Sequence, residues 1–210
     1  MYDFLSSAIV TLLVTLDPPA LAPIFLSVTR GMTQDERKRV ALRASLIAFA
    51  VMAFFAVAGD QTLRLLGVSL PAFRIAGGLL LFWIAFEMVF ERRNQRKSEL
   101  AEVAITEDHI HNVAAFPLAI PLMAGPGAIT AMLLLAGRTQ GDPLSMALLI
   151  AVTAIMIGVC TIVFMLADPI ARLLGTTGNV VLTRLLGVIL AALAVQFLID
   201  GIKAAFRLAS

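Results

Sequence analysis

Cysteine is nearly missing from this chain: Cys160 is the only one among 210 residues. No internal disulfide can form, and no cysteine spacing suits a metal centre. Membrane carriers with six spans that pass electrons through a cysteine pair are excluded with it. Charge is thin too, at 14% of residues, and the formal balance of +2 does not point to nucleic acid. Tryptophan and tyrosine occur once each, too few to mark the two interfaces of a membrane. No ATP-binding motif is present.

Apolar length is what the chain has in abundance. Hydrophobic residues make up 60% of it and the mean hydropathy is +0.96, outside the range of soluble domains. The uncharged runs 113–137 and 143–167 can each cross a bilayer as a helix. Residues 5–28 do the same with Asp17 as the one charge. The runs 44–59, 75–90 (interrupted by Glu87) and 185–199 are shorter, but their charged flanks can snorkel to the interface. An all-α membrane protein with six transmembrane helices is expected. Met1-Tyr2-Asp3-Phe4 has no basic region and leads straight into the first span, so it does not read as a cleavable signal. Cys160, inside the fifth apolar run, reads as a small buried hydrophobe.

Lysine and arginine set the orientation. Eleven of the sixteen follow spans one, three and five, among them Arg37, Lys38, Arg39, Arg92, Arg93, Arg96 and Lys97. That bias places those loops in the cytoplasm and both termini on the periplasmic side of a bacterial inner membrane. The basic clusters are expected to signal topology and touch anionic lipid.

The chain also repeats itself. Asp60, Arg64, Leu65, Leu66 and Gly67 recur 108 positions later as Asp168, Arg172, Leu173, Leu174 and Gly175. Pro18 and Ala20 recur at that offset as Pro126 and Ala128. Residues 1–90 form a first unit of three spans, 91–112 a polar cytoplasmic linker, and 113–210 a second unit. An odd number of spans per unit turns the second copy over, giving two inverted three-helix repeats. His109 and His111 in the linker read as solvated side chains, and no metal or other cofactor is expected.

Spans one and four carry breaks near the midplane. In Leu16-Asp17-Pro18-Pro19 a carboxylate sits at membrane depth, where charge is expensive, and prolines remove backbone donors. Ala124-Gly125-Pro126-Gly127 breaks the fourth span at the corresponding place. Broken backbone at that depth survives where protein covers it or it lines a cavity. Paired interruptions in two halves point to a transporter's binding site. Asp17 before Pro18, and Gly125 before Pro126, each read as a helix start whose free N–H groups and dipole attract an anion. With Asp17 adding the opposite sign, the pair suits a zwitterion. Asp17 either binds ligand or only caps its own half-helix.

The expected substrate-binding set is Asp17, Pro18, Gly125, Pro126, Gly127, Thr130 and Gln196. Gln196 either faces the cavity or bonds a neighbouring helix. Glu87 is expected to pair with Arg92, and Asp200 with Lys203. Gly77, Gly78, Gly158 and Gly187 are expected at close helix contacts. Catalysis by paired carboxylates is not expected, because Asp17 lies ~18 Å along the helix from Leu5 while Glu87 and Asp200 lie toward opposite faces.

The chain resembles, over essentially its full length, the MarC family of six-span bacterial and archaeal inner-membrane proteins, and three stretches carry the resemblance. They are Asp17-Pro18-Pro19-Ala20-Leu21-Ala22-Pro23-Ile24-Phe25, then residues 117–129 from Pro117 to Ile129, then Arg184-Leu185-Leu186-Gly187 leading to 194–201. Asp17 stands where the family often has Asn, and Ala20 where it usually has Gly. The resemblance implies a family named for a multiple-antibiotic-resistance locus and grouped with small-molecule exporters. Some of its members look like transporters of small neutral amino acids. The expected function is a secondary transporter of such substrates, compatible with a coupling ion (proton or sodium) and with a homo-oligomer. The alternative is a structural or lipid-interacting membrane protein, in which two midplane breaks would serve no purpose.

Overall fold

The computed structural model describes residues 2–93, 95–98 and 113–206. They are helical or lie in short connections, in the order α1 (Tyr2–Leu16), α2 (Pro18–Val28), α3 (Gln34–Leu65), α4 (Leu70–Val89), α5 (Ala114–Met123), α6 (Pro126–Ala136), α7 (Pro143–Met165) and α8 (Ala167–Phe206). Among the described residues, five stretches are long and apolar enough to cross a membrane, one of them α1 and α2 taken together. The α5–α6 pair, bent by 57°, makes a sixth when it is counted as one span.

Local chemistry explains most boundaries. At the head of α3 the Thr33 amide and hydroxyl both donate to Glu36 Oε2, at 2.7 and 2.9 Å, and the Glu36 amide donates back to Thr33 Oγ1. This reciprocal box satisfies two donors the first turn would leave open. Asp142 opens α7 by accepting from the Leu144 and Ser145 amides, with Pro143 at the first helical position. Gly175 interrupts α8 with φ +59°, a left-handed value that glycine adopts without a steric penalty. α5 is only loosely helical. Phe116 and Ile120 are extended there (φ −134° and −127°), because each precedes a proline whose ring disfavours the helical region for its neighbour.

The largest helix interface joins α4 and α8. A Cβ on Gly78 would sit 2.9 Å from the Ala194 carbonyl, and one on Gly187 would sit 2.8 Å from Met88 Cβ. Small residues here let the two backbones touch, as in membrane helix pairs generally. Gly77 instead faces Thr130 and Leu134 of α6, while Gly158, expected at a contact, has nothing within 4 Å of a built Cβ. On α3 the buried stripe Ala41, Ala44, Ala48, Met52, Ala56 is mostly alanine. Its opposite face exposes Leu46, Phe54 and Val57, as suits a helix with lipid on one side.

Contacts define the two ends of the bundle. At one end Arg138 donates to Ser7 Oγ (3.1 Å) and Asp200 (2.6 Å), while Arg74 donates to the Gly137 carbonyl. At the other, Arg37 pairs with Asp168 and Arg184 with Glu91. Asp200 therefore pairs with Arg138, a residue 62 positions away, and not with the expected Lys203, which is exposed.

Candidate functional site

The first break is built by missing amides. Pro18 and Pro19 have no N–H, so the Val14 and Thr15 carbonyls lose the partners a continuous helix would supply. The remaining amides close locally: Asp17 N–H donates to Leu13 O (2.9 Å) and Ala20 N–H to Asp17 O (3.2 Å). No free N–H is left at the start of α2 for a side chain to cap, and the Asp17 side chain makes no cap bond. The expected anion-attracting end at Pro18 is therefore absent, because two consecutive prolines remove the donors that would form it. Asp17 adopts φ +54°, ψ +61° and is fully buried. Aspartate and asparagine enter this left-handed region more readily than most side chains do.

The second break keeps its donors. Pro126 lacks an N–H, but Gly127 and Ala128 follow it in the first turn of α6, and neither of their amides donates to a backbone carbonyl among the described residues. Gly125 is required by space: a Cβ there would collide with the Pro121 carbonyl oxygen.

Residues 92, 93 and 95–98 are helical and fold against these breaks. Arg93 is buried, and its guanidinium donates to the Thr15 carbonyl and to Met88 Sδ (2.8 Å). It thereby supplies the donor that Pro19 withholds. Lys97, one helical turn further, is also buried, and its Nζ lies 3.9 Å from Asp17 Oδ2. Neither the Lys97 ammonium nor either Asp17 oxygen has a hydrogen-bond partner among the described residues. Between them in sequence, Arg96 donates to Glu87 Oε1 at 2.8 Å. Glu87 is thus paired with Arg96, not with the expected Arg92, since Arg96 returns beside α4 when the chain turns back after Phe90.

A cavity of about 390 Å³ lies where these parts meet. Thr15 contributes from the first break, Gly125, Pro126, Gly127 and Ala128 from the second, Trp83 and Ile84 from α4, and Arg93, Arg96 and Lys97 from the returning segment. A second cavity of about 260 Å³ lies between α2 and residues 170–179, with a largely apolar wall. A third, of about 470 Å³, sits at the far end among Asp60, Arg64 and Arg74. Of the three, the first is the one walled by both breaks.

The expected site residues divide accordingly. Gly125, Pro126 and Gly127 line the cavity. Asp17 stands behind its wall and reaches it through Lys97, and Pro18 is buried beside it. Thr130 faces Gly77 of α4. Gln196 is exposed and donates to Asp200 Oδ1 (2.8 Å) at the far end of the bundle. Cys160 is fully buried. His109 and His111 lie outside the described residues. Among the described residues no three His, Cys, Asp or Glu side chains are grouped to hold a metal ion. Sequence reasoning missed Arg93 and Lys97 as site residues, reading the basic cluster as a topology signal that touches anionic lipid. The signal was available in principle: Thr15 needs a donor from elsewhere, and 93 and 97 share one helical face.

Residues 2–206 match the MarC family, described as integral membrane proteins. A UPF0056 membrane protein of Aquifex aeolicus is 36% identical over 198 residues, covering 93% of this chain and 91% of the relative. One from Archaeoglobus fulgidus is 35% identical, covering 95% and 92%. The UPF0056 membrane protein YhcE of Escherichia coli is 34% identical, covering 90% and 87%. No solved structure matches this chain. The chain belongs to the MarC family and is a multi-pass membrane protein, with homologues in bacteria and archaea.

Proposed function

We propose that this MarC-family protein is a secondary transporter of small neutral amino acids or similarly small metabolites, with its substrate site in the cavity between the two broken spans. One observation carries this reading: a 390 Å³ cavity walled by both helix breaks and by buried cationic side chains, inside a bundle whose outer surface is apolar. That volume falls within the ~300–1,000 Å³ of small-molecule pockets. Interrupted helices meeting at one cavity are what alternating-access carriers use to expose backbone groups to a substrate. The carboxylates are spread among separate partners, Asp17 near Lys97, Glu87 on Arg96 and Asp200 on Arg138. No catalytic pair is proposed from them.

The same reading includes two inverted repeats. α2 and α6 are both eleven residues long and begin at Pro18 and Pro126, 108 positions apart. Gly67 and Gly175, at the same offset, both have positive φ (+70° and +59°). Interfaces recur in exchanged form: α3 touches α5 and α6 while α7 touches α1 and α2, and α4 touches α6 while α8 touches α2. With three spans per copy, the axis relating them lies in the membrane plane and both termini face the periplasm.

Flux decides the function. Protein reconstituted into liposomes preloaded with unlabelled L-alanine should accumulate radiolabelled L-alanine by counterflow, and glycine or L-serine should compete. Uptake equal to that of protein-free liposomes for all three, with the protein shown to be folded, would sink the proposal.

A further inference from the structure

We infer that the cavity recognises a carboxylate, held between the Lys97 ammonium and the free N–H groups of Gly127 and Ala128 at the start of α6, with Asp17 acting as counter-ion to Lys97 and not as a ligand. This rests on the transport reading for its biological meaning, but the binding site itself does not.

Of the three cations in the wall, two are engaged. Arg93 is spent on the Thr15 carbonyl and Met88, and Arg96 on Glu87. Lys97 is the third. Its side chain is 8% exposed and lines the cavity, and its buried nitrogen, 3.9 Å from Asp17 Oδ2, makes no hydrogen bond among the described residues. A buried ammonium with unmade hydrogen bonds carries a large desolvation penalty, which an anionic oxygen within reach would offset. Gly127 and Ala128 line the same cavity. Helix α6 presents its N-terminus there, where partial positive charge and open N–H groups favour an anion.

Asp17 does not serve as an acceptor for a substrate ammonium in this arrangement. It is 0% exposed and absent from the cavity wall. Three cations against the two carboxylates Asp17 and Glu87 leave the site net positive. The charge balance therefore selects the acid group of an amino acid, with the amino group tolerated and not required.

Trp83, the only tryptophan in the chain, lines this cavity and reports occupancy without flux. In detergent-solubilised protein, propionate should change Trp83 fluorescence saturably, and ethylamine should not. Lys97→Gln should weaken the propionate response at least ~10-fold, as loss of a charge-assisted bond implies, and Lys97→Arg should restore most of it. Melting temperatures of the variants establish that they are folded. A saturable ethylamine response without a propionate response overturns the inference, as does unchanged propionate affinity in folded Lys97→Gln. Propionate binding without any alanine flux would uphold this site and defeat the transport proposal. Alanine flux without a Trp83 response to propionate would do the reverse.

Discussion

Pro19 takes away the amide that would have met the Thr15 carbonyl, and Arg93, 78 positions further along, replaces it. A carbonyl buried without a donor costs about 1–3 kcal/mol, so the arginine is part of the fold and not just a topology signal. Arg93→Met keeps much of the side chain's length and loses its donors. It should lower stability by ~1–3 kcal/mol, read as a reduced melting temperature in detergent. Arg92→Met, at an exposed neighbour, should leave melting unchanged. Equal melting of the two variants would show that Arg93 is dispensable. Asp17 illustrates the limit of residue-level reasoning. Its position before two prolines reads as a cap, yet those prolines remove the amides a cap would bind.

At the scale of elements, the two breaks look alike in sequence and differ in chemistry. Span one breaks with Pro-Pro and offers no donors, whereas span four breaks with Gly-Pro-Gly and keeps the Gly127 and Ala128 amides open. The loosened α5 follows from Pro117 and Pro121, so its irregularity was also readable. Helix starts follow side-chain chemistry closely, and α7 allows a test by pH. The Ser145 hydroxyl and amide, then the Leu144 amide, donate to Asp142 and hold its carboxyl below the usual aspartate value. A group depressed in this way contributes stability that is complete above the unfolded-state pKa of ~3.9 and disappears as pH falls through the folded value. Hydrogen-exchange protection of the Leu144 and Ser145 amides, corrected for intrinsic rates, should therefore hold at neutral pH and fall as pH drops below about 4. Asp142→Asn, which does not titrate, should show no such fall. Equal behaviour of the two proteins would exclude Asp142 as a charged cap.

Across the whole molecule, the proposed orientation puts Lys38 in the cytoplasm and Lys203 outside. Both are exposed, and the sole native cysteine is fully buried, so single-cysteine labelling has a low background. A membrane-impermeant maleimide applied to intact cells should label Lys203→Cys and should reach Lys38→Cys only after permeabilisation. Labelling of Lys38→Cys in intact cells would overturn the orientation. The membrane class, the family and the places where the first and fourth apolar runs break were legible in the sequence, because hydropathy and proline act locally. The sequence did not determine where the segment after α4 goes. That segment is short and polar, and nothing in its composition separates a solvated loop from one folded back onto the breaks. Tertiary structure decided that Lys97 approaches Asp17, Arg93 meets Thr15 and Arg138 meets Asp200. Each pair is 62 or more positions apart. A buried charge takes the partner that packing brings within reach, not the one nearest along the chain.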